Sequence, residues 1–314
     1  MAVWRTPAEV PADLGGTAVT IGVFDGVHRG HQVVIGRVAK LARNAGLLAV
    51  AVTFDPNPLA VVRPEIAPPA LLPLHRRVEL LHASGADHVL VLRFDRDRAQ
   101  QSAEEFVDDV LVGLLGAKVI VVGADFRFGH RAAGDVALLK RLGTDRGFTV
   151  DVVEPVGGES VERWSSTHIR ELVMAGDVTA AAAALGRPFR IEGVVTRGAG
   201  RGRDLGFPTA NIPVAEGELV PADGVYAGWL TRLDQAGAPE LPAAISVGTN
   251  PTFGGEVLMV EPYVLDRDDL KLYDVPVAVD FVARIRGQER FESADELVAR
   301  MREDVAATRR ALGG

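Results

Sequence analysis

Hydrophobic periodicity changes abruptly at Gly186-Arg187-Pro188. Before this breaker, runs rich in Val, Ile and Leu at 17–24, 47–54, 88–94, 118–123 and 148–153 alternate with helix-length stretches. The clearest of these is 31–42, with Val34, Val38 and Leu41 on one face. Near-continuous apolar strands separated by helices predict a parallel sheet covered on both faces. Beyond the breaker come short β-rich runs at 191–196, 224–230, 243–247, 257–265 and 275–285, punctuated by Gly and Pro. That pattern predicts an antiparallel barrel or sandwich. One helix closes the chain: Ser293-Ala-Asp-Glu296 reads as a capping box, and Leu297, Met301, Val305, Thr308 and Leu312 recur at helical spacing. The spacing therefore predicts two different domains, 1–186 and 187–314, with no internal repeat.

Composition removes several function classes. The 314 residues contain no cysteine, so a disulfide framework, a thiolate zinc site and a cysteine nucleophile are all excluded. The net charge of −8 works against a nucleic-acid partner, whose phosphates need surplus Lys and Arg. The excess acid is shared: 19 basic residues face 22 acidic ones in 1–186, and 15 face 20 in 187–314. Neither a leader-like apolar segment in 1–20 nor an apolar run long enough for a membrane is visible, so the expectation is a cytoplasmic chain without a membrane partner. Homo-oligomerisation is left open.

Two stretches stand out. Gly22-Val-Phe-Asp-Gly-Val-His-Arg-Gly-His31 lies where a strand ends and a helix begins. Glycines there permit tight turning and close approach of backbone to ligand, and the helix start offers N–H groups to an anion. His28 and His31, three apart, suit charge stabilisation at a reacting phosphoryl group. The competing readings are an ordinary βα turn and half of a metal site, the latter lacking an evident third ligand. Farther on, Arg163-Trp-Ser-Ser-Thr-His-Ile-Arg170 places hydroxyls at a helix start between two cationic side chains, which fits either a second phosphate wall or a plain N-cap.

The run GVFDGVHRGHQ resembles the amino-terminal module of bacterial bifunctional riboflavin kinase/FAD synthetases. Thr53-Phe-Asp-Pro56, Asp125-Phe-Arg-Phe-Gly129 and Arg163–Arg170 follow in the family's order. The resemblance implies a Rossmann-like α/β nucleotidylyltransferase domain. In it Gly22, Phe24, Asp25, Gly26, Arg163, Ser166, Thr167 and Arg170 would bind ATP, and His28 and His31 would act in catalysis. Two departures touch the ATP or flavin path: Asn57 stands where the family has His, and Ala124-Asp125 where it has Glu-Asn or Glu-Asp. An extra carboxylate beside phosphates is unfavourable unless compensated.

In the second half, Arg197-Gly-Ala-Gly-Arg-Gly-Arg203 is a basic, glycine-rich loop in an acidic chain, suited to phosphate oxygens or, as the plain alternative, a solvated hairpin tip. It leads into Leu205-Gly-Phe-Pro-Thr-Ala-Asn-Ile212, where Thr209 and Asn211 offer hard neutral oxygens that suit Mg²⁺. GRGRDLGFPTANI, 221–228 and 246–253 resemble the riboflavin kinase module of the same family. The resemblance implies an antiparallel β-barrel with a C-terminal helix, in which Gly200, Gly202 and Arg203 contact ATP, Thr209 and Asn211 hold the metal, and Glu261 is the base. Tyr273-Asp274 stands where the family has Tyr-Gly.

The whole chain is thus expected to use riboflavin, FMN, ATP and Mg²⁺, making FMN and then FAD. Two rivals stay open: a riboflavin kinase with an impaired adenylyltransferase domain, motivated by Asn57 and Asp125, and a non-enzymatic flavin or nucleotide sensor or an RNA-binding relative.

Overall fold

The computed structural model describes residues 1–154, 164–198, 202, 205–214, 217–252 and 255–313, the side chains of 250–252 and 255–257 excepted. The chain divides into two compact units, Met1–Ser166 and Thr167–Gly314.

The first unit is a six-stranded sheet in the order β1-β4-β3-β2-β5-β6, every ladder parallel. Its strands are β1 (Ala2–Trp4), β2 (Thr17–Ile21), β3 (Leu48–Asp55), β4 (His88–Arg93), β5 (Ala117–Gly123) and β6 (Thr149–Val153). The helices are α1 (Arg29–Ala45), α2 (Pro58–Val62), α3 (Leu74–Ala83), α4 (Arg96–Gln100), α5 (Ala103–Phe106), which continues as a π-helical stretch Val107–Leu114, and α6 (Val136–Arg146).

Period-two alternation decides which side chains meet which helices. Val19, Ile21, Val50, Val52, Leu90, Leu92, Ile120 and Val122 enter one core with Phe106, Leu111 and Leu139. Their neighbours Ala18, Ala49 and Ala51 face the opposite way, beneath α1, whose Ile35, Val38, Ala39 and Ala42 are buried. Small strand residues on that face let α1 lie close to the sheet, so Ala51→Leu would overpack it at about 1–3 kcal/mol. The helix expected at 31–42 thus exists and is longer, with Val34 and Leu41 at the edge of the buried stripe.

In the second unit every ladder is antiparallel, in the order β7-β12-β9-β10-β11-β8. The strands are β7 (Phe189–Val194), β8 (Ile212–Pro213), β9 (Gly224–Arg232), β10 (Leu241–Thr252), β11 (Gly255–Val264) and β12 (Pro276–Arg286). Thr196 donates its N–H to the Asn211 carbonyl at 2.8 Å, joining the two ends of that order and closing the sheet into a barrel. Tyr226 and Phe281 meet edge to face inside it, with ring centroids 5.4 Å apart. A side chain at Gly228 would collide with the Asp280 carbonyl, so glycine is required where β9 passes β12.

The helices α7 (Ser166–Ala175) and α8 (Val178–Leu185) precede the barrel, and α9 (Ala294–Ala311) ends the chain. Thr179 donates to the Val282 carbonyl at 3.2 Å and Arg284 to that of Ala175 at 3.2 Å. The packing boundary therefore falls ahead of the change in sequence texture, because these helices lie against β12. Bidentate contacts between Arg286 and Asp304, both 2.8 Å, fasten α9 to the barrel.

Candidate active sites

In an open parallel sheet, ligands bind at the carboxyl ends of the strands, where the strand order reverses. Here that point lies between β2 and β5, and a cleft of about 540 Å³ opens there. Gly22, Phe24, His28 and His31 line one side, Gly123 to Phe126 another, and Trp164 to Ser166 a third.

The turn between β2 and α1 is strained. Phe24, Gly26 and Val27 all take positive φ (51°, 83° and 39°), and Phe24 and Val27 are buried. Non-glycine residues there cost about 1–3 kcal/mol each and persist only when neighbours over-determine them. The neighbours are present. Thr53 donates to the Val23 carbonyl at 3.0 Å, Asp25 accepts the Leu71 N–H at 3.0 Å, and Ser166 donates its hydroxyl to the Asp25 carbonyl at 2.8 Å. A side chain on Gly22 would press on the Phe24 ring, and one on Gly30 on the His28 ring.

This turn delivers His28 as the N-cap of α1. Its Nδ1 accepts the His31 N–H at 3.4 Å, so the ring proton of a neutral His28 sits on Nε2. The two imidazoles stack with centroids 3.6 Å apart, and Phe24 meets His31 edge-on at 5.2 Å. His31 Nδ1 is buried without a hydrogen-bond partner among the described residues. Burial, then His28, then Arg77 hold the His31 pKa well below its ordinary 6.5. His31 is therefore held neutral, and the stack does not carry two positive charges.

The other expected residues separate into groups. Asp25 is buried and serves the turn, and Gly26 supplies its left-handed step. Asp125 is exposed on the cleft wall beside Gly123, next to the half-buried Phe126, which stacks with Phe128 at 5.3 Å. Asn57 caps α2, its Oδ1 accepting the Leu59 N–H at 3.0 Å, so this departure has a local structural task. Thr167 is exposed and Arg170 buried on α7, both in the second unit. Arg163, Gly200 and Arg203 lie outside the described residues. Sequence reasoning passed over Arg77 and Phe126. Phe126 stood inside a quoted motif, whereas Arg77 carried no motif signal.

In the barrel, the ladder brings the remaining candidates together. Ile212 pairs with Val260 and Thr209 with Tyr263, which puts Asn211 directly opposite Glu261. Directly opposed residues share a face, and so do residues two apart, so Thr209, Asn211, Glu261 and Tyr263 lie on one face. Glu261 is half-buried between the buried Val260 and Pro262. A Cβ at Gly198 would collide with the Asn211 amide and one at Gly202 with the Phe207 carbonyl, so these two positions leave no room for a side chain. Asn211 Nδ2 donates to the Thr209 carbonyl at 3.4 Å. Beside Thr209 a cleft of about 410 Å³ is walled by Pro208, Arg267, Asp268 and Tyr273, and Arg197 lies over the Tyr273 ring at 5.4 Å. No group of three or more His, Cys, Asp or Glu among the described residues could hold a metal. Any cation here would rest on neutral oxygens and a single carboxylate, a donor set that fits Mg²⁺ sharing its shell with phosphates and water.

The comparisons with known proteins agree with this division. Residues 10–168 match the FAD synthetase family and residues 185–312 the riboflavin kinase family. The chain is 37% identical over 298 residues to the bifunctional riboflavin kinase/FMN adenylyltransferase of Escherichia coli K12, covering 95% of this chain and 93% of that one. It is 39% identical over 295 residues to the protein of the same name from Pseudomonas fluorescens, covering 94% and 92%. A solved structure of a Streptococcus pneumoniae protein, described as a macrolide-efflux protein, matches with a TM-score of 0.86 at 32% identity over 98% of both chains. No helix among the described residues of the present chain is long and apolar enough to cross a membrane. With both domains matched in order and its relatives aligned from end to end, the chain belongs to the bacterial bifunctional riboflavin kinase/FMN adenylyltransferase family of transferases.

Proposed function

We propose that this chain phosphorylates riboflavin with ATP in its carboxy-terminal module and adenylylates the resulting FMN with a second ATP in its amino-terminal module, releasing pyrophosphate. The modules are taken as 187–314 and 1–186, and the setting as the cytoplasm. The observation that carries the kinase reading is the pairing of Asn211 with Glu261 on the face that also bears Thr209. Glu261 takes the proton from the ribityl hydroxyl as that oxygen attacks the γ-phosphorus, the bond to the bridging oxygen breaks and ADP leaves. A base borne on a rigid strand is held for a near in-line approach. Thr209 and Asn211 would hold Mg²⁺, which would supply charge neutralisation to the phosphate oxygens. The loop containing Gly200, Gly202 and Arg203 covers the phosphates.

In the amino-terminal module, FMN phosphate attacks the α-phosphorus of ATP and pyrophosphate leaves. His28 Nε2–H and the start of α1 donate to the phosphate oxygens, His31 stacks behind His28, Ser166 contributes to the opposite wall, and Arg163 would supply a positive charge to the phosphates. Phe126 supplies a flat apolar surface for an aromatic ring.

The test uses purified full-length protein with riboflavin, ATP and MgCl₂, and separately with FMN, ATP and MgCl₂, the flavins being resolved by chromatography. Glu261→Gln should abolish FMN formation and spare FAD formation, and His28→Ala should do the reverse. Loss of both products in either variant contradicts the site assignment.

A further inference from the structure

Arg77 on α3 lies outside every motif of the sequence, yet it is one of the least exposed charged residues in the chain, at 4% exposure. Its Nη1 donates to the Phe54 carbonyl at 2.9 Å and to the Thr53 hydroxyl at 3.4 Å. Thr53 in turn donates to the Val23 carbonyl, one residue before Phe24. Its Nε is buried without a partner among the described residues. A buried guanidinium with an unmade hydrogen bond is costly, and better-packed apolar side chains exist for a helix face. Such a cost in this position calls for a task.

We propose that Arg77 is a positioning residue of the adenylyl-transfer site: through Thr53 and Val23 it fixes, from behind, the strained turn that presents His28 and His31 to the cleft. The inference rests on the adenylyltransferase reading above. The chain of contacts runs from α3 to β3 to the β2–α1 turn, three elements that sequence separation would not join. Leu71, just ahead of α3, grips the same turn through Asp25, so α3 and its approach hold it at two points.

Electrostatics agree with the geometry. Arg77 lies close enough to His31 to disfavour its protonation, together with burial and His28. Asp25 in the turn and Asp55 at the end of β3 offset part of the cost of burying Arg77 itself. Among the described residues, the other charged groups bordering the cleft are Asp125 after β5 and Glu154 after β6. Removing Arg77 therefore does two things at once: it frees the turn and it lets His31 take up a proton more readily.

Both effects are measurable in the full-length protein. In Arg77→Met the His31 titration, followed by NMR of labelled histidine, should move up. The kcat for FAD formation should fall about tenfold, with a smaller change in the KM for ATP and with riboflavin phosphorylation unchanged. Arg77→Lys, which keeps the charge, should hold the His31 titration near the wild-type position. Thr53→Val, a milder change that keeps the charge and cuts the relay, should lower kcat for FAD formation about fivefold and leave the His31 titration in place. A folded Arg77→Met protein with wild-type titration and wild-type kcat overturns the proposal. Should that variant fail to fold, Thr53→Val decides, and a wild-type kcat there overturns it equally. A wild-type protein that makes no FAD would instead sink the adenylyltransferase reading, and the titration of His31 would still report on Arg77.

Discussion

A methyl group added to Gly198 would come within 2.4 Å of the Asn211 amide oxygen. Gly198→Ala must therefore displace one side chain of the proposed metal site without touching the base on β11. Riboflavin phosphorylation should fall about tenfold in kcat/KM, with a raised magnesium requirement, while FMN adenylylation stays unchanged. Flavin chromatography across a MgCl₂ titration checks this. A variant that phosphorylates riboflavin like wild type at every magnesium concentration would remove Asn211 from the metal site.

Asp125 puts a carboxylate on the cleft wall of the first unit, in a position where the resemblance implies Asn or Asp. Asp125→Asn should lower the KM for ATP in adenylylation about two- to fivefold at low salt, the effect shrinking as ionic strength rises. A KM that is unchanged, or lowered equally in high salt, would show that the carboxylate does not face the phosphates.

His31 makes the first unit sensitive to acid in a definite direction. Its folded pKa lies well below 6.5, so between those values the unfolded chain binds more protons than the folded one. Stability is complete above 6.5 and is lost as pH falls through that value toward the folded pKa. His88, which accepts the Ala2 N–H at 3.1 Å and is also depressed by burial, acts in the same direction. The urea midpoint of the first unit should drop between pH 7 and pH 5, and His31→Asn should flatten part of that slope. A midpoint independent of pH in both proteins contradicts a neutral His31.

The parallel sheet, the barrel and the last helix were legible in the sequence because each rests on periodicity. The strand runs were placed to within a few residues, and Ser293 caps α9 as expected, accepting the Glu296 N–H at 3.2 Å. The capping box differs in its return bond: the Glu296 carboxylate takes the N–H of Glu292 instead of that of Ser293. β1, only three residues long, is too short to carry a period. The positive φ of Phe24 and Val27 was equally hidden, since neither residue prefers that conformation and only tertiary contacts impose it. His28 and His31 could be read as a pair from their spacing. Asn211 and Glu261 could not, because a ladder register fifty residues apart leaves no local trace.

The clamp between Arg286 and Asp304 is nearly buried, with side-chain exposures of 10% and 7%. Asp304→Ala leaves the guanidinium only the longer ionic contact to Glu289 at 4.0 Å and should cost about 3 kcal/mol. In the full-length protein, riboflavin phosphorylation should then be lost at a lower urea concentration, with FAD formation from FMN persisting to the wild-type concentration. Equal sensitivity of the two activities would mean that the clamp does not act on the barrel alone.

Asn211 has two duties: its carbonyl receives the Thr196 N–H that shuts the barrel, and its side chain stands opposite Glu261. Side chains on a strand alternate, so a slip of β8 by one residue along β11 would send Asn211 and Glu261 to opposite faces. The last seam of the barrel is thus also its quality control. A chain that closes out of register would not bring the proposed metal ligand Asn211 and the proposed base Glu261 onto one face.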